Sequence, residues 1–168
     1  MVTELSADRV GAFEATIREH DTVLRRFAYR LVGRDVEDVL QSAYLSAFRA
    51  LPAFRGDSSM STWLHQIVFA TAMNHHRSSR RRSRSDVLGA VGESGGDFSV
   101  DSSSRIDLER AVDRLPIDQR AALLLVDGQG FSYIDAARVL GVAAGTVASR
   151  LSRARAQIRE SIEIGKDA

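Results

Sequence analysis

The sequence contains no cysteine and only two prolines among its 168 residues. Without cysteine, the chain has no disulfide bond, no thiolate metal ligand and no cysteine nucleophile. Its longest unbroken apolar run, Ala121 to Val126, is far short of the roughly 20 residues that span a bilayer. Charged residues stand near the N-terminus, where a secretory signal needs an apolar block. These absences predict a chain that is neither exported nor inserted in a membrane, and they favour the cytoplasm.

Charges of both signs are abundant but unevenly placed. The chain has 23 basic and 22 acidic residues, which leaves a net charge of +1. Acidic residues gather at Asp35 to Asp38, whereas arginines concentrate at positions 77–84 and again at 150–159. Two basic clusters so far apart indicate two contacts with a polyanion, but charge alone is equally well explained by two solvated helix ends.

The apolar residues recur at helical spacing, which predicts an all-α fold of two small domains. Gly33 is expected to end a first helix, and Pro52 a second that spans Asp35 to Leu51. Ser61 or Thr62 is expected to cap a third helix. Its apolar stripe is expected to comprise Trp63 or Leu64, then Ile67 and Thr71.

Serine, glycine and arginine replace large apolar residues in the middle of the chain, which is typical of a flexible linker. We therefore predict an N-terminal domain over residues 1–80, a linker over 81–104 and a C-terminal domain over 105–168. Helices are expected in the C-terminal domain at residues 106–115, 119–127, 133–140 and 144 to about 162.

The histidines raise the possibility of a metal or catalytic site, and they are His20, His65, His75 and His76. None lies four residues from another, and neighbours on a helix point about 100° apart, so His75 and His76 cannot share a face. The sequence also has no glycine-rich phosphate loop and no serine nucleophile elbow. We therefore predict no catalytic residue, no metal and no cofactor, and regard an enzyme as an unfavoured alternative.

The segment from Phe131 to Ile158 has the pattern of a helix-turn-helix. Ser132 and Asp135 resemble a capping box, and Gly141 permits a tight turn before a second helix. An apolar stripe on that helix can pack on the domain: Val147, Leu151, Ala154 and Ile158. The opposite face is free to enter a major groove and carries Ser149, Ser152 and Arg153. Arg150 and Arg155 flank the stripe, where phosphates would run.

The same segment resembles the C-terminal DNA-binding domain of extracytoplasmic-function (ECF) RNA polymerase sigma factors, most specifically in GTVASRLSRAR, residues 145–155. The N-terminal half resembles the other domain of that family. In this chain the segment VEDVLQ is followed by FRGDS and then by TWLHQI, over residues 36–67, and these three segments carry the resemblance. The linker has no counterpart in the resemblance.

The resemblance implies a role for each matched residue. It places Glu37, Asp38 and Gln41 on core RNA polymerase, although Ser42 follows where an acidic residue is usual. For the −10 promoter element it implies a base-capturing loop and a helix that contacts the separated strand, with Arg55, Asp57, Ser58, Asn74 and Arg77. Ala70 stands where Asn is frequent, and Trp63 is expected to pack in the core.

For the −35 element the resemblance implies base reading by Ser149, Ser152 and Arg153, with Arg150 and Arg155 on phosphates. Ala148 and Ala136 depart from the usual basic and larger apolar residues at their positions. The implied partners are core RNA polymerase, promoter DNA and an anti-sigma factor, without a small-molecule substrate. Two alternatives stay open: a stand-alone helix-turn-helix regulator, and a degenerate sigma-like decoy.

Overall fold

The computed structural model describes the backbone of residues 7–85 and 103–166, and the side chains of 7–81 and 107–163. The chain divides into two compact units, Met1–Gly92 and Glu93–Ala168. Within the described ranges all regular structure is helical, without a strand, which confirms the all-α prediction. None of the helices in these ranges combines the length and apolar character that a bilayer span needs.

Three helices pack against one another in the first unit: α1 (Ala7–Val32), α2 (Val36–Ala50) and α3 (Met60–Ser85). Gly33 ends α1 as predicted, because its φ of 62° lies in the left-handed region that glycine adopts without strain. A 3₁₀ turn, Leu51–Ala53, follows α2. The core between the three helices consists of apolar side chains less than a tenth exposed, among them Leu24, Phe27, Leu40, Ala43, Leu64 and Val68.

The start of α3 differs from the prediction. Its cap is Ser59, whose Oγ accepts a hydrogen bond from the Thr62 N–H at 3.0 Å, so the assignment of Ser61 or Thr62 as the cap was wrong. The buried stripe runs from Leu64 through Val68 to Ala72, whereas Ile67 and Thr71 are only half-buried. The core-facing side thus lies one residue, or about 100° around the helix, from the predicted one, because packing of α3 against α1 and α2 selects the buried face.

The predicted linker is helical at both ends. Helix α3 continues through Ser85, and α4 already begins at Ser103. Residues 86–102, the middle of the predicted linker, lie outside the described residues.

The second unit contains α4 (Ser103–Arg114), α5 (Ile117–Leu123), α6 (Tyr133–Leu140) and α7 (Ala144–Lys166). Pro116 separates α4 from α5, and a π-helical turn, Leu124–Gly128, continues α5. Helix α7 contacts α4, α5 and α6, so it organises the unit. Leu151 and Ala154 form a core cluster with Leu115 and Leu123, and Ile158 packs against that cluster.

The predicted helix-turn-helix is confirmed. Ser132 Oγ accepts the Asp135 N–H at 3.0 Å and donates its own proton to Asp135 Oδ2 at 2.7 Å, which caps α6. At the other end Gly141 has a φ of 65°, and the Val142 N–H donates to the Ala137 carbonyl at 3.1 Å. This six-to-one hydrogen bond marks a Schellman turn, which reverses the chain into α7.

Candidate nucleic-acid interface

The recognition helix α7 separates an inward face from an outward one. Val147, Leu151 and Ala154 are at most 1% exposed and face the core, as the sequence predicts. Ser149, Ser152 and Arg153 are all exposed and lie together on the outward side. Ser149 Oγ donates to the Thr146 carbonyl at 2.9 Å, so its hydroxyl oxygen remains able to accept a further hydrogen bond. Within the described residues Arg153 makes no ion pair or hydrogen bond, which leaves its guanidinium available to a ligand.

The two flanking arginines are held by carboxylates of the same unit. Arg155 donates from Nε to Asp127 Oδ2 at 3.0 Å and from Nη2 to Asp127 Oδ1 at 2.7 Å. This hydrogen-bonded pairing raises the pKa of the Arg155 guanidinium. Arg150 Nε lies 3.2 Å from Asp118 Oδ2. The acidic partners offset part of the positive charge that these arginines would offer to phosphates, and they restrict where the guanidinium groups point.

A short loop joins α2 to α3 in the first unit, and it contains Arg55, Asp57 and Ser58. Gly56, at a φ of 79°, turns the chain between Arg55 and Asp57, whose side chains are both exposed. The ring of Phe54 lies 4.9 Å from that of Trp63 between centroids, so Trp63 supports the start of the loop. Ser58 is half-buried, and its Oγ donates to the Ser59 carbonyl at 3.3 Å.

Asn74 and Arg77 lie on a separate part of this unit. Both are exposed on α3, about 21 Å (Asn74) and about 26 Å (Arg77) along the helix axis from its first residue, Met60. The structure therefore does not bring the two groups of −10 candidates together at one point. Instead, an exposed stripe follows α3 at three- and four-residue spacing, and it comprises Gln66, Ala70, Asn74, Arg77 and Arg81. Ala70, the departure noted in the sequence, lies in the middle of this stripe.

The polymerase candidates share the exposed beginning of α2. Glu37 forms an ion pair with Arg25 of α1, and Arg25 Nε also lies 3.4 Å from Asp21 Oδ2. Asp38 and Gln41 are exposed and make no ion pair or hydrogen bond with other described residues. The structure thus divides the three candidates: Glu37 is tied to α1, whereas Asp38 and Gln41 are open to a partner.

Tyr44 of α2 contacts the same aspartate, Asp21, that lies beside Arg25. Tyr44 Oη donates to Asp21 Oδ1 at 2.9 Å. Burial of the phenol and this hydrogen bond raise the pKa of Tyr44 well above its ordinary value. The neutral phenol therefore stabilises the contact between α1 and α2.

Three of the histidines lie close to polar groups of the first unit. His65 is 1% exposed, and its Nδ1 lies 2.8 Å from the Ser61 carbonyl, to which it donates when protonated there. His20 Nδ1 lies 3.1 Å from the Thr16 carbonyl, and His75 Nε2 lies 3.6 Å from Asp35 Oδ2. No group of three or more potential metal ligands occurs among the residues that the structure describes.

Comparison with known proteins assigns both units to one family. Residues 16–82 match the family described as sigma-70 region 2, and residues 105–158 match sigma-70, region 4. The ECF RNA polymerase sigma factor SigM of Mycobacterium tuberculosis is 39% identical over 161 residues, which cover 94% of this chain and 80% of SigM. The chain belongs to the ECF RNA polymerase sigma factors. ECF sigma-E factor of Escherichia coli K12 is 36% identical over 142 residues, covering 77% of this chain and 74% of that protein.

Two solved structures are similar to this chain in fold. The sigma factor RpoE of Bartonella quintana, solved in complex with the anti-sigma factor NepR, has a TM-score of 0.79 at 29% identity. The match covers 91% of this chain and 98% of RpoE. CnrH, solved with the cytosolic domain of CnrY, has a TM-score of 0.66 at 25% identity, covering 91% of this chain and 88% of CnrH. These matches confirm that the chain is a sigma factor, a class of transcription initiation factor.

Sequence reasoning alone overlooked several features of the candidate sites. Gln66 belongs to the exposed stripe on α3, and its spacing from Asn74 could have revealed it. The pairing of Arg155 with Asp127 joins residues far apart in the sequence and has no local signal.

Proposed function

We propose that this ECF sigma factor binds core RNA polymerase through its first unit and directs initiation by reading a −35 element with α7 and opening a −10 element with the loop and α3. The observation that carries the proposal is the outward face of α7, where Ser149, Ser152 and Arg153 are exposed opposite a buried stripe. Regions 2 and 4 occur in the order that such a two-element promoter contact needs.

For the −35 element, Arg153 is the principal base-reading residue, because its guanidinium is exposed and unpaired among the described residues. Ser149 and Ser152 contribute hydroxyl groups beside it. Arg150 and Arg155 contact phosphates from fixed positions, since their carboxylate partners orient the guanidinium groups. Because the carboxylates offset part of their charge, these two arginines neutralise fewer phosphates. Their fixed guanidinium groups instead set the depth at which the recognition helix enters the groove.

For the −10 element, two surfaces act in succession along one strand. The loop with Arg55, Asp57 and Ser58 receives an unpaired base, and Asn74 and Arg77 contact the strand farther along α3. Their separation of about 21–26 Å from the start of α3 corresponds to a strand that runs along the helix rather than to a single pocket. Extruding a base costs a few kcal/mol, so contacts at both surfaces are needed to offset it.

For polymerase binding, Asp38 and Gln41 form the polar part of the contact, and Glu37 contributes beside Arg25. Leu45, 52% exposed, continues the same face of α2 and supplies apolar area next to them. Interfaces commonly combine apolar contact with polar groups that set specificity.

We place the protein in the cytoplasm, where polymerase and chromosome meet, and assign the catalytic steps to the polymerase rather than to this chain. An anti-sigma factor is a further expected partner, because RpoE and CnrH were each solved with a partner, which for RpoE is named an anti-sigma factor.

The decisive experiment is genome-wide run-off transcription with core polymerase and the purified chain. Alignment of sequences upstream of the transcript starts is expected to show two spaced elements. Polymerase binding without promoter-dependent transcripts would instead identify a sigma-like decoy, and DNA binding without polymerase binding would identify a stand-alone regulator.

A further inference from the structure

Arg9 lies near the beginning of α1, outside the residues that the proposed function uses. Its Nη2 donates to the Phe54 carbonyl at 3.0 Å, and its Nη1 donates to the Pro52 carbonyl at 3.4 Å. Both carbonyls lie at the end of the 3₁₀ turn that follows α2, immediately before the loop with Arg55, Asp57 and Ser58. One guanidinium from the start of the chain therefore contacts the loop at its first residues.

Helix packing explains why Arg9 reaches this place. Phe13 follows Arg9 by one helical turn, so both side chains lie on the same face of α1. Phe13 is 4% exposed, and its ring lies 6.1 Å from that of Phe48 in the last turn of α2. This aromatic contact anchors α1 beside the end of α2 and directs Arg9 toward the carbonyls beyond it.

The carbonyls are suitable acceptors for a cation. The last carbonyls of a helix lack intrahelical donors, and the helix dipole places partial negative charge there. At Phe54 the backbone leaves the helical region, with a φ of −65° and a ψ of 118°. A planar guanidinium can satisfy two separate carbonyls at once, whereas an ammonium group acts as a single point charge.

The loop is thus held at both ends. Arg9 fixes its beginning, and Ser59, the cap of α3, fixes its end through the Thr62 N–H. Between these points Arg55 and Asp57 are exposed on either side of Gly56. The direction in which these side chains leave the domain depends on the backbone that Arg9 holds.

We propose that Arg9 is a positioning residue for base capture: by holding the Pro52 and Phe54 carbonyls, it sets the loop in the conformation that receives an unpaired −10 base. The inference rests on the proposed function of the loop and adds a residue of α1, which is distant from the loop in sequence but contacts it in the structure.

The test is a coupling measurement between residue 9 and the captured base. Wild-type, Arg9→Ala, Arg9→Lys and Arg18→Ala chains are each assembled with core polymerase. Open complexes are measured on a promoter found by run-off transcription, intact or with an abasic site at one non-template −10 position at a time. The abasic penalty is the ratio of open complex on the intact promoter to that on the abasic one. Arg18 is the control, because it is exposed on α1 and unpaired among the described residues.

In the wild type, an abasic site at one non-template −10 position, that of the captured base, is expected to give a large abasic penalty. Arg9→Ala is expected to reduce that penalty roughly three- to tenfold, the range for the loss of one hydrogen-bonded contact. Arg9→Lys keeps the charge but replaces the two Nη donors with one nitrogen on a shorter side chain, so it should give an intermediate penalty. Arg18→Ala should give the wild-type value. Thermal unfolding of the free chains checks that the variants fold, as the exposure of Arg9 leads us to expect.

An undiminished penalty in Arg9→Ala would overturn the inference, even if opening were weaker on every promoter, since that pattern indicates stability or general DNA attraction. A wild-type penalty in Arg9→Lys would overturn it as well, because the two separate Nη donors of the guanidinium would then be unnecessary. Absence of any positional penalty in the wild type would contradict base capture by the loop itself, so the wild-type measurement separates that failure from the failure of Arg9.

Discussion

Replacing Arg153 by alanine tests whether α7 reads bases. The side chain is exposed and makes no ion pair or hydrogen bond within the described residues. Its removal should therefore change the free energy of unfolding by no more than about 0.5 kcal/mol, as is usual for such surface positions. Any effect on promoter binding then comes from a lost contact with DNA.

The expected size of that effect follows from the geometry of the guanidinium. A bidentate contact between arginine and guanine contributes about 1–3 kcal/mol of base discrimination, which corresponds to about 5- to 150-fold in affinity. The dependence of binding on salt should change little. Loss of a phosphate contact would instead reduce the slope of log affinity against log salt by about 0.9.

The assay compares equilibrium binding of the holoenzyme to promoters in which each −35 base pair is replaced in turn. Arg153→Ala should abolish discrimination at one or two adjacent positions. Arg155→Ala is the matched control, since that arginine is already paired with Asp127. It should weaken binding equally on all promoters and lower the thermal stability of the second unit. If Arg153→Ala kept discrimination at every position, or weakened all promoters by one factor, base reading by Arg153 would be refuted.

Three further outcomes are expected. Asp38→Ala should lower affinity for core polymerase several-fold in a direct binding assay while leaving the circular dichroism of the free chain unchanged, because Asp38 has no partner among the described residues. Leu151→Ala should destabilise the second unit by about 2–5 kcal/mol in denaturant unfolding, since the side chain is 1% exposed, whereas the exposed neighbour Ser152→Ala should have little effect. Tyr44 contributes to stability as the neutral phenol, so its contribution is complete below the ordinary tyrosine pKa of about 10 and is lost as the pH rises toward the raised pKa of the folded state. The free energy of unfolding, measured from pH 9 to 11, should therefore decline less in Tyr44→Phe than in the wild type.

The helix-turn-helix was the most predictable part of the fold, since its signals are local. Ser132 needs only Asp135, three residues on, to form a cap, and Gly141 needs only its own backbone freedom to form the turn. The buried stripe of α7 likewise follows from the helical period, which assigned Val147, Leu151 and Ala154 to the core. Each of these predictions depends on residues within about one or two turns of one another.

The third helix was less predictable because several serines and threonines compete to cap it. Ser59 and Ser61 are both chemically suitable, and the choice depends on where the loop from α2 ends. The predicted stripe continued to Ile67 and Thr71, whereas packing against α1 and α2 buries Val68 and Ala72. The helical period limits the choice to neighbouring faces of α3, and contact with the other two helices decides which face is buried.

By itself the sequence determined the helices, the helix-turn-helix and the residues exposed on its recognition face, because helical periodicity, caps and turns act between near neighbours. Only the tertiary structure decided which charged groups are free to act. Asp127 holds Arg155, Glu37 pairs with Arg25, and Arg9 holds the start of the loop. Such contacts join residues that come together only when helices pack, so no local pattern distinguishes a paired arginine from an available one.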